Sequence, residues 1–373
     1  MRSDWKKTTI DEACARVYSG GTPSTKEPAY WNGDMNWLSS GETRNKFIYE
    51  TERKITKLGV EQSSTQLAFK DSIVIATAGQ GYTRGQASFL KIDTYVNQSV
   101  LVLEADRTMV EPLFLYYNLS NRYEELRQLS DGTSTRGGLS GWIVRRMAIN
   151  LPPIDIQKKI IDVLYAIDQK IECNIAINKN LEKQAQAIYR NIFIENYEKS
   201  WIEGSLSELV SIKYGRDHKK LNNGIYPVYG SGGIMRYVDR ALYDKESVLI
   251  PRKGSLNNIL YVNEPFWSVD TMFYTEMKRN NIAKFIFHFM KGLDLTLLNA
   301  GSAVPSMTTE ILNSIPVHLP DTENLQRFEN LVSPLYILMQ DHILESKRLS
   351  SLRDTLLLRL MSGELDVSSH IEL

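Results

Sequence analysis

The sequence predicts an α+β chain in which two repeated mixed α/β domains are joined by two long antiparallel helices about a pseudo-two-fold axis. Three observations predict it. A proline-ended strand runs into a helix twice, at "INLPPIDIQKKI" (149–160) and "VHLPDTENLQRF" (317–328). Further stretches of the second half match the first in the same order. A seam with steps of three and four follows each proline boundary, the spacing of a helix that packs along another long helix.

The internal repeat decides the architecture. Trp5 falls on Trp201 and Tyr18 on Tyr214 at an offset of 196. "DSIVIATAG" (71–79) falls on "ESVLIPRKG" (246–254), offset 175, and "PLFLYYNL" (112–119) on "AKFIFHFM" (283–290), offset 171. "INLP" falls on "VHLP" and "NKNLEKQAQAI" (178–188) on "SKRLSSLRDTL" (346–356), both at 168. The falling offset makes the second copy shorter.

Residues 1–152 form the first strand-rich domain. "SIVIA" and "SVLVLE" are short β-branched runs. "YSGGTPST", "TAGQGYTRG" and "GTSTRGGLSG" are breaks between them. "PLFLYYNLSNRYEEL" reads as short helix. Residues 153–200 form the first long helical region, free of glycine and proline from Gln157 to about Tyr197. Its seam is Ile160, Leu164, Ile167, Ile171, Asn174, Asn178, Leu181, Ala185, Ile188 and Ile192. About 40 residues at ~1.5 Å each give a helix roughly 60 Å long.

Residues 201–320 repeat the strand-rich pattern with "SVLIP", "ILYV" and the helical "AKFIFHFMKGL". Residues 321–373 form the second long helical region and a tail. Its expected seam is Phe328, Leu331, Leu335, Leu338, His342, Glu345, Leu349, Leu352 and Leu356. Pro334 is expected to kink or restart this helix, with Ser333 as N-cap. Asn174 and His342, 168 residues apart, read either as a register-setting polar layer or as wet positions in an imperfect coiled coil.

At 373 residues the chain exceeds one ordinary core. Only Cys14 and Cys173 are present, far apart, which fits a reducing cytoplasm and neither a disulfide scaffold nor a cysteine zinc site. The N-terminal stretch has no signal-peptide core, and no apolar run is long enough to span a membrane. Net charge is zero. Lys+Arg less Asp+Glu gives 19 − 17 = +2 for 1–152, 7 − 7 = 0 for 153–200, 13 − 11 = +2 for 201–320 and 5 − 9 = −4 for 321–373.

Catalytic motifs are missing from the sequence: there is no phosphate loop, no H-E-x-x-H and no G-x-S-x-G. "GQGYTRG" (79–85) imitates a dinucleotide loop without a following helix. "ESK" (345–347) resembles part of a nuclease motif without acidic partners. No cofactor or metal site is expected, and the chain reads as a binding protein rather than an enzyme. The glycine-rich loops carry side chains suited to base edges and phosphates: Tyr82, Arg84, Gln86 and Arg136 in the first domain, and Arg236, Tyr237, Arg252, Lys253, Asn257 and Asn258 in the second. Two such sets on repeated domains suit the two-fold symmetry of duplex DNA.

These stretches, with "YSGGTPSTKEPAYWNGDMNWLSSGE" (18–42), "SVLIPRKGSLNNILYV" (247–262) and "RLMSGEL" (359–365), make the whole chain resemble the specificity (S) subunits of type I restriction–modification systems. The resemblance implies two target recognition domains, each reading half of a bipartite site in double-stranded DNA. It implies that the helices set the spacer and dock two modification (M) subunits, which bind S-adenosylmethionine and methylate adenine, with restriction (R) subunits added. Two other readings stay open: a coiled-coil scaffold with duplicated protein-binding domains, and a specificity module of a related nuclease-free defence or modification system.

Overall fold

Pro152 and Pro153 separate a strand, Ala148–Leu151, from a helix, Ile154–Arg190. The Pro153 carbonyl accepts from the amides of Ile156 and Gln157 at 3.0 Å each, so the ring that stops the strand opens the helix. The computed structural model describes residues 5–79, 83–131, 138–199, 201–299 and 305–367. The chain folds as two compact units. Unit 1 comprises 1–173 and 345–373, and unit 2 comprises 174–344. Each takes one strand-rich segment with part of both long helices.

The strands of unit 1 are β1 (Lys6–Thr9), β2 (Cys14–Ser19), β3 (Trp31–Leu38), β4 (Phe47–Ile48), β5 (Arg53–Ile55), β6 (Gln66–Ala68), β7 (Ile73–Ala76), β8 (Ala87–Leu90), β9 (Thr94–Val96), β10 (Val100–Ala105) and β11 (Ala148–Leu151). Its own helices are α1 (Lys57–Glu61), α2 (Pro112–Ser120), α3 (Tyr123–Asp131) and α4 (Gly141–Arg146). The strands make sheets β1-β11, β2-β10-β7-β8-β4 and β5-β3-β9-β6. The first long helix is α5 (Ile154–Arg190), ending in a π-type turn over Asn191–Glu195.

Unit 2 has β12 (Ile202–Ser205), β13 (Val210–Tyr214), β14 (Asn223–Gly230), β15 (Gly233–Val238), β16 (Ser247–Pro251), β17 (Leu260–Val262), β18 (Trp267–Ser268), β19 (Met272–Met277) and β20 (Pro316–Leu319). Its helices are α6 (Leu206–Leu209), α7 (Ala283–Lys291) and α8 (Thr309–Asn313), and the second long helix is α9 (Thr322–Met361). The sheets are β12-β20, β13-β19-β16-β17 and β15-β14-β18. Each equals a unit 1 sheet, the two larger ones short of one edge strand: β13-β19-β16-β17 repeats β2-β10-β7-β8, and the parallel β14–β18 pair repeats β3–β9. The repeat expected from the sequence is therefore a repeat of topology, and the shorter second copy has lost strands at sheet edges.

Within each unit the long helices run antiparallel. In unit 1 Asp168 meets Arg353 at 2.6 Å while Lys170 meets Glu345 at 3.3 Å. In unit 2 Asn178 meets His342 at 2.8 Å while Tyr189 lies 6.1 Å from Phe328, ring to ring. His342 thus meets Asn178, four residues along α5 from Asn174, its equivalent at the repeat offset.

In α5 the residues of the expected seam are buried at Ile160, Leu164 and Leu181 and half-buried at Ile167, Ile171 and Ile188, with buried Asp168 and Tyr189 beside the first and last of these three. The seam is corrected for α9. Leu331, Leu338 and Leu352 are 48%, 42% and 49% exposed, while Leu335, Leu349 and Leu356 are half-buried. The buried stripe is Leu325, Phe328, Val332, Tyr336, Arg353, Leu357 and Leu360, one residue on at four points. At Val332, Tyr336 and Leu357 an apolar residue stands beside the expected leucine, so spacing alone does not choose between them, and at Arg353 the buried residue is not apolar. Pro334 does not break α9: the helix runs through it, with buried Val332 and Tyr336 flanking it. Packing offsets the single backbone bond that a proline forgoes. Ser333 does not cap; its hydroxyl donates to Glu329 at 2.6 Å.

Polar locks tie each domain to both long helices. In unit 1 the buried Asp168 carboxylate of α5 accepts from Arg353 of α9 at 2.6 Å and from the Tyr117 hydroxyl of α2 at 2.9 Å, with Lys46 at 3.5 Å. In unit 2 buried His288 of α7 contacts Gln186 of α5 through Nδ1 at 2.6 Å and Tyr336 of α9 through Nε2 at 2.9 Å. Gln186 Oε1 can only accept and the tyrosine hydroxyl can donate, so the ring is neutral with its proton on Nδ1. Burial, with Lys291 nearby, pushes His288 down to about 3.

The locks predict different responses. Asp168→Ala removes one of the two carboxylates that Arg353 meets, leaving Asp354 at 2.6 Å, and takes away the acceptor of the Tyr117 hydroxyl; it is expected to cost about 1–3 kcal/mol in chemical denaturation. Leu331→Ala should change stability by less than about 0.5 kcal/mol, whereas Val332→Ala should cost well over 1 kcal/mol. His288 is held neutral in the fold but titrates near its ordinary 6.5 when unfolded. Its contribution is full above pH 6.5 and is lost as pH falls from 6.5 towards 3. Thermal melts should show that slope, at most ~1.4 kcal/mol per pH unit, and His288→Phe should remove it.

Candidate nucleic-acid interface

The polar loops expected to face DNA fall into distinct environments. In unit 1 the segment between β7 and β8 turns at Gly85, whose φ of +86° suits a residue without Cβ. Arg84 beside it is buried and ion-paired with Asp131 at the end of α3. Arg127 of the same helix donates to the Arg84 carbonyl at 3.4 Å. Arg84 is therefore corrected from a base-reading side chain to a clamp that fixes its loop on α3. Its partner lies 47 residues away, beyond any local sequence signal. Gln86 is half-buried and lines a cavity of about 280 Å³ with Lys46, Tyr117 and Arg353. Tyr82 and Arg136 lie outside the described residues.

In unit 2 the loop after β16 and the β14–β15 hairpin meet. Asn258 donates to the Ser231 carbonyl at 2.8 Å, and a Cβ on Gly254 would lie 3.1 Å from the Ser231 hydroxyl. Lys253, exposed, is thereby set beside the hairpin turn. Arg252 donates to the Asp270 carbonyl at 2.9 Å and sits 5.5 Å from the centre of the Tyr214 ring. Tyr237 faces solvent from β15, and Arg236 beside it donates to the Leu221 carbonyl at 2.6 Å. Asn257 is engaged elsewhere: it donates to Asp294 at 2.9 Å and accepts from the Leu295 amide at 2.8 Å, so it fastens the short turn after α7, 37 residues on. Asn258 and Gly254 thus join the loop of Arg252 and Lys253 to the turn of the hairpin whose second strand carries Arg236 and Tyr237.

Sequence reasoning passed over the exposed cations next to that hairpin. Arg216, Lys219, Lys220 and Arg240 are exposed on the segments flanking the hairpin. Arg236, by holding the Leu221 carbonyl, ties the loop that carries three of them to β15. Residues 213–240 hold six Lys+Arg and two Asp+Glu, a local 6 − 2 = +4. The rest of 201–320 is 7 − 9 = −2. A short-window charge count would have found the patch that the whole-domain sum hid. Such a patch is the electrostatic footprint expected of a protein that neutralises phosphates.

The two proline boundaries also differ in detail. Gln157 is buried, accepts from the Glu111 amide at 2.8 Å, and donates to Met109 and Pro152 carbonyls at 3.1 and 2.9 Å. Its repeat equivalent is buried Leu325, whereas Gln326 is exposed and accepts from Asn281 at 2.6 Å. The second helix is instead capped by Asp321, which accepts from the Asn324 amide at 2.7 Å. Glu345 of the "ESK" stretch is ion-paired with Lys170. Among the described residues no group of three His, Cys, Asp or Glu could hold a metal, and no helix is long and apolar enough to cross a membrane.

Known proteins share this arrangement. The family described as type I restriction modification DNA specificity domain matches residues 2–183 and 198–345. The type I restriction enzyme MjaIX specificity subunit of Methanocaldococcus jannaschii is 24% identical, covering 98% of this chain and 94% of its own length. The EcoprrI specificity subunit of Escherichia coli is 21% identical over 85% of this chain and 86% of its own. The fold is that of the crystallised S subunit of a type I restriction-modification system from M. genitalium, with a TM-score of 0.55 over 95% of this chain and 96% of that one, at 20% identity. The chain belongs to the type I restriction–modification specificity subunits, which recognise DNA and are not themselves catalytic.

Proposed function

We propose that each unit reads one half of a bipartite site in duplex DNA, and that α5 and α9 set the non-specific spacer between the halves. The observation that carries this is the repeated topology. The same three sheets occur in both units, and in each a short helix is locked by buried polar groups to both long helices. A reader joined in this way has little freedom to tilt, so the length of the helices becomes a length along DNA. The modification subunits, two per chain, dock on the long helices. Exposed Leu331, Ile337, Leu338, Leu344 and Leu352 of α9 offer apolar surface for that contact. S-adenosylmethionine belongs to those subunits, restriction subunits complete the complex, and the assembly works in the cytoplasm where its DNA is.

Two outcomes test this. Expressed with its modification subunit, the chain should give a methyladenine pattern made of two short specific blocks separated by a fixed gap, read by sequencing the host DNA for modified bases. A pattern without a gap, or no association with the methyltransferase, would refute the reading. Removing seven residues from each long helix at facing positions shortens the pair by ~10 Å, about three base pairs of DNA. The gap should shrink accordingly while both blocks keep their sequence. Altered blocks with an unchanged gap would show that the helices do not measure it.

A further inference from the structure

The β14–β15 hairpin of unit 2 combines features that a solvent-facing ribbon does not need. Strand β15 is the edge of its sheet, and its exposed side chains are apolar: Ile234 is 46% exposed and Met235 59%, followed by exposed Tyr237. Edge strands are ordinarily blunted by charge on the strand itself. Here the strand's one charged residue, Arg236, is half-buried and engaged with the Leu221 carbonyl, and the exposed charge lies beside the strand, on Arg216, Lys219, Lys220 and Arg240.

The ribbon is also shaped. Its register runs Val228↔Arg236 and then Tyr229↔Ile234, so Met235 is the extra residue of a bulge. A bulge breaks the alternation of side chains and re-aims those at its site. Gly230 opposite leaves room for the result, since a Cβ there would lie 2.6 Å from Met235 Sδ. Gly233 takes φ +109° to close the turn. The two acids of the patch are engaged locally. Asp239 accepts from Asn222 at 3.0 Å, and Asp217 accepts from the Lys219 amide at 3.0 Å.

A cationic surround with an apolar face matches duplex DNA better than a protein strand. Phosphates take the cations. The major groove is wide enough for a two-stranded ribbon, and its apolar feature is the thymine 5-methyl group. We propose that this ribbon enters the major groove of the half-site read by unit 2. Ile234 and Met235 lie against thymine methyls there, and Arg216, Lys219, Lys220 and Arg240 lie on the flanking phosphates. The proposal rests on the DNA-recognition reading above and adds which groove, which base and which residues.

The test uses the full chain bound to its modification subunits and a duplex bearing the methylated motif. Each thymine of the unit 2 half is replaced in turn by deoxyuridine, which removes only the methyl. Wild-type complex should lose affinity by roughly fourfold, the worth of one buried methyl, at one or two positions. The Ile234→Ala/Met235→Ala complex should bind the intact site as weakly as wild type binds the deoxyuridine site, and should show no further loss. Lys219→Gln/Lys220→Gln should lower the slope of log affinity against log salt by about two. A half-site without an A·T pair, equal losses in wild type and variant, or an unchanged salt slope would overturn the ribbon assignment while leaving DNA recognition standing. Loss of methyltransferase association in the apolar variant, with DNA affinity intact, would assign the ribbon to a protein partner. A wild-type complex that binds no duplex at all would overturn the DNA reading itself.

Discussion

A buried carboxylate with three donors around it holds unit 1 together. Asp168 sits where a short helix of the domain meets both long helices, and each of those elements supplies a group to the contact. Removing Arg353 would leave the buried carboxylate with only the Tyr117 hydroxyl and the half-exposed Lys46 to hold it. The domain is therefore fixed to the long helices by chemistry and not merely by chain connection. In unit 2 the hydrogen bonds of His288 to Gln186 and Tyr336 are neutral, and the ion pair of the junction stands beside them, between Lys284 of α7 and Glu329 of α9 at 2.7 Å. At the repeat offset Tyr336 stands where Asp168 stands and Gln186 where Asp354 stands. The duplication kept the mechanical role of the junction and let its chemistry diverge.

That rigidity bears on specificity. Contacts to phosphates fix position, and contacts to base edges carry sequence. A reader that pivoted freely on a linker would lose orientation entropy on every binding event. Here the loops are pinned from behind: Arg84 to Asp131, Asn257 to Asp294, Asn258 to Ser231. Several residues with DNA-reading chemistry thus serve as supports, and the surface they support is left to others. The zero net charge of the whole chain is compatible with this, because the acidic surplus lies in the last 53 residues and the basic surplus is concentrated in one 28-residue stretch.

The sequence by itself determined the duplication, the order of elements, the two proline boundaries and the identity of the long helices. Those follow from local rules: proline geometry, strand alternation and a repeating apolar step act over a few residues at a time. Most of the α5 seam was legible for the same reason, since its buried positions are mainly apolar. What only the tertiary structure decided concerns polar groups. In the α9 stripe Arg353 is buried and Leu352 exposed because the Asp168 carboxylate waits across the packing. Arg84 leaves the candidate interface because Asp131 folds onto it. Gln157 and Gln326 part company because Met109 and Glu111 surround only the first. Burial of a charged or amide side chain depends on a partner distant in sequence, and spacing along one chain does not encode which partner arrives.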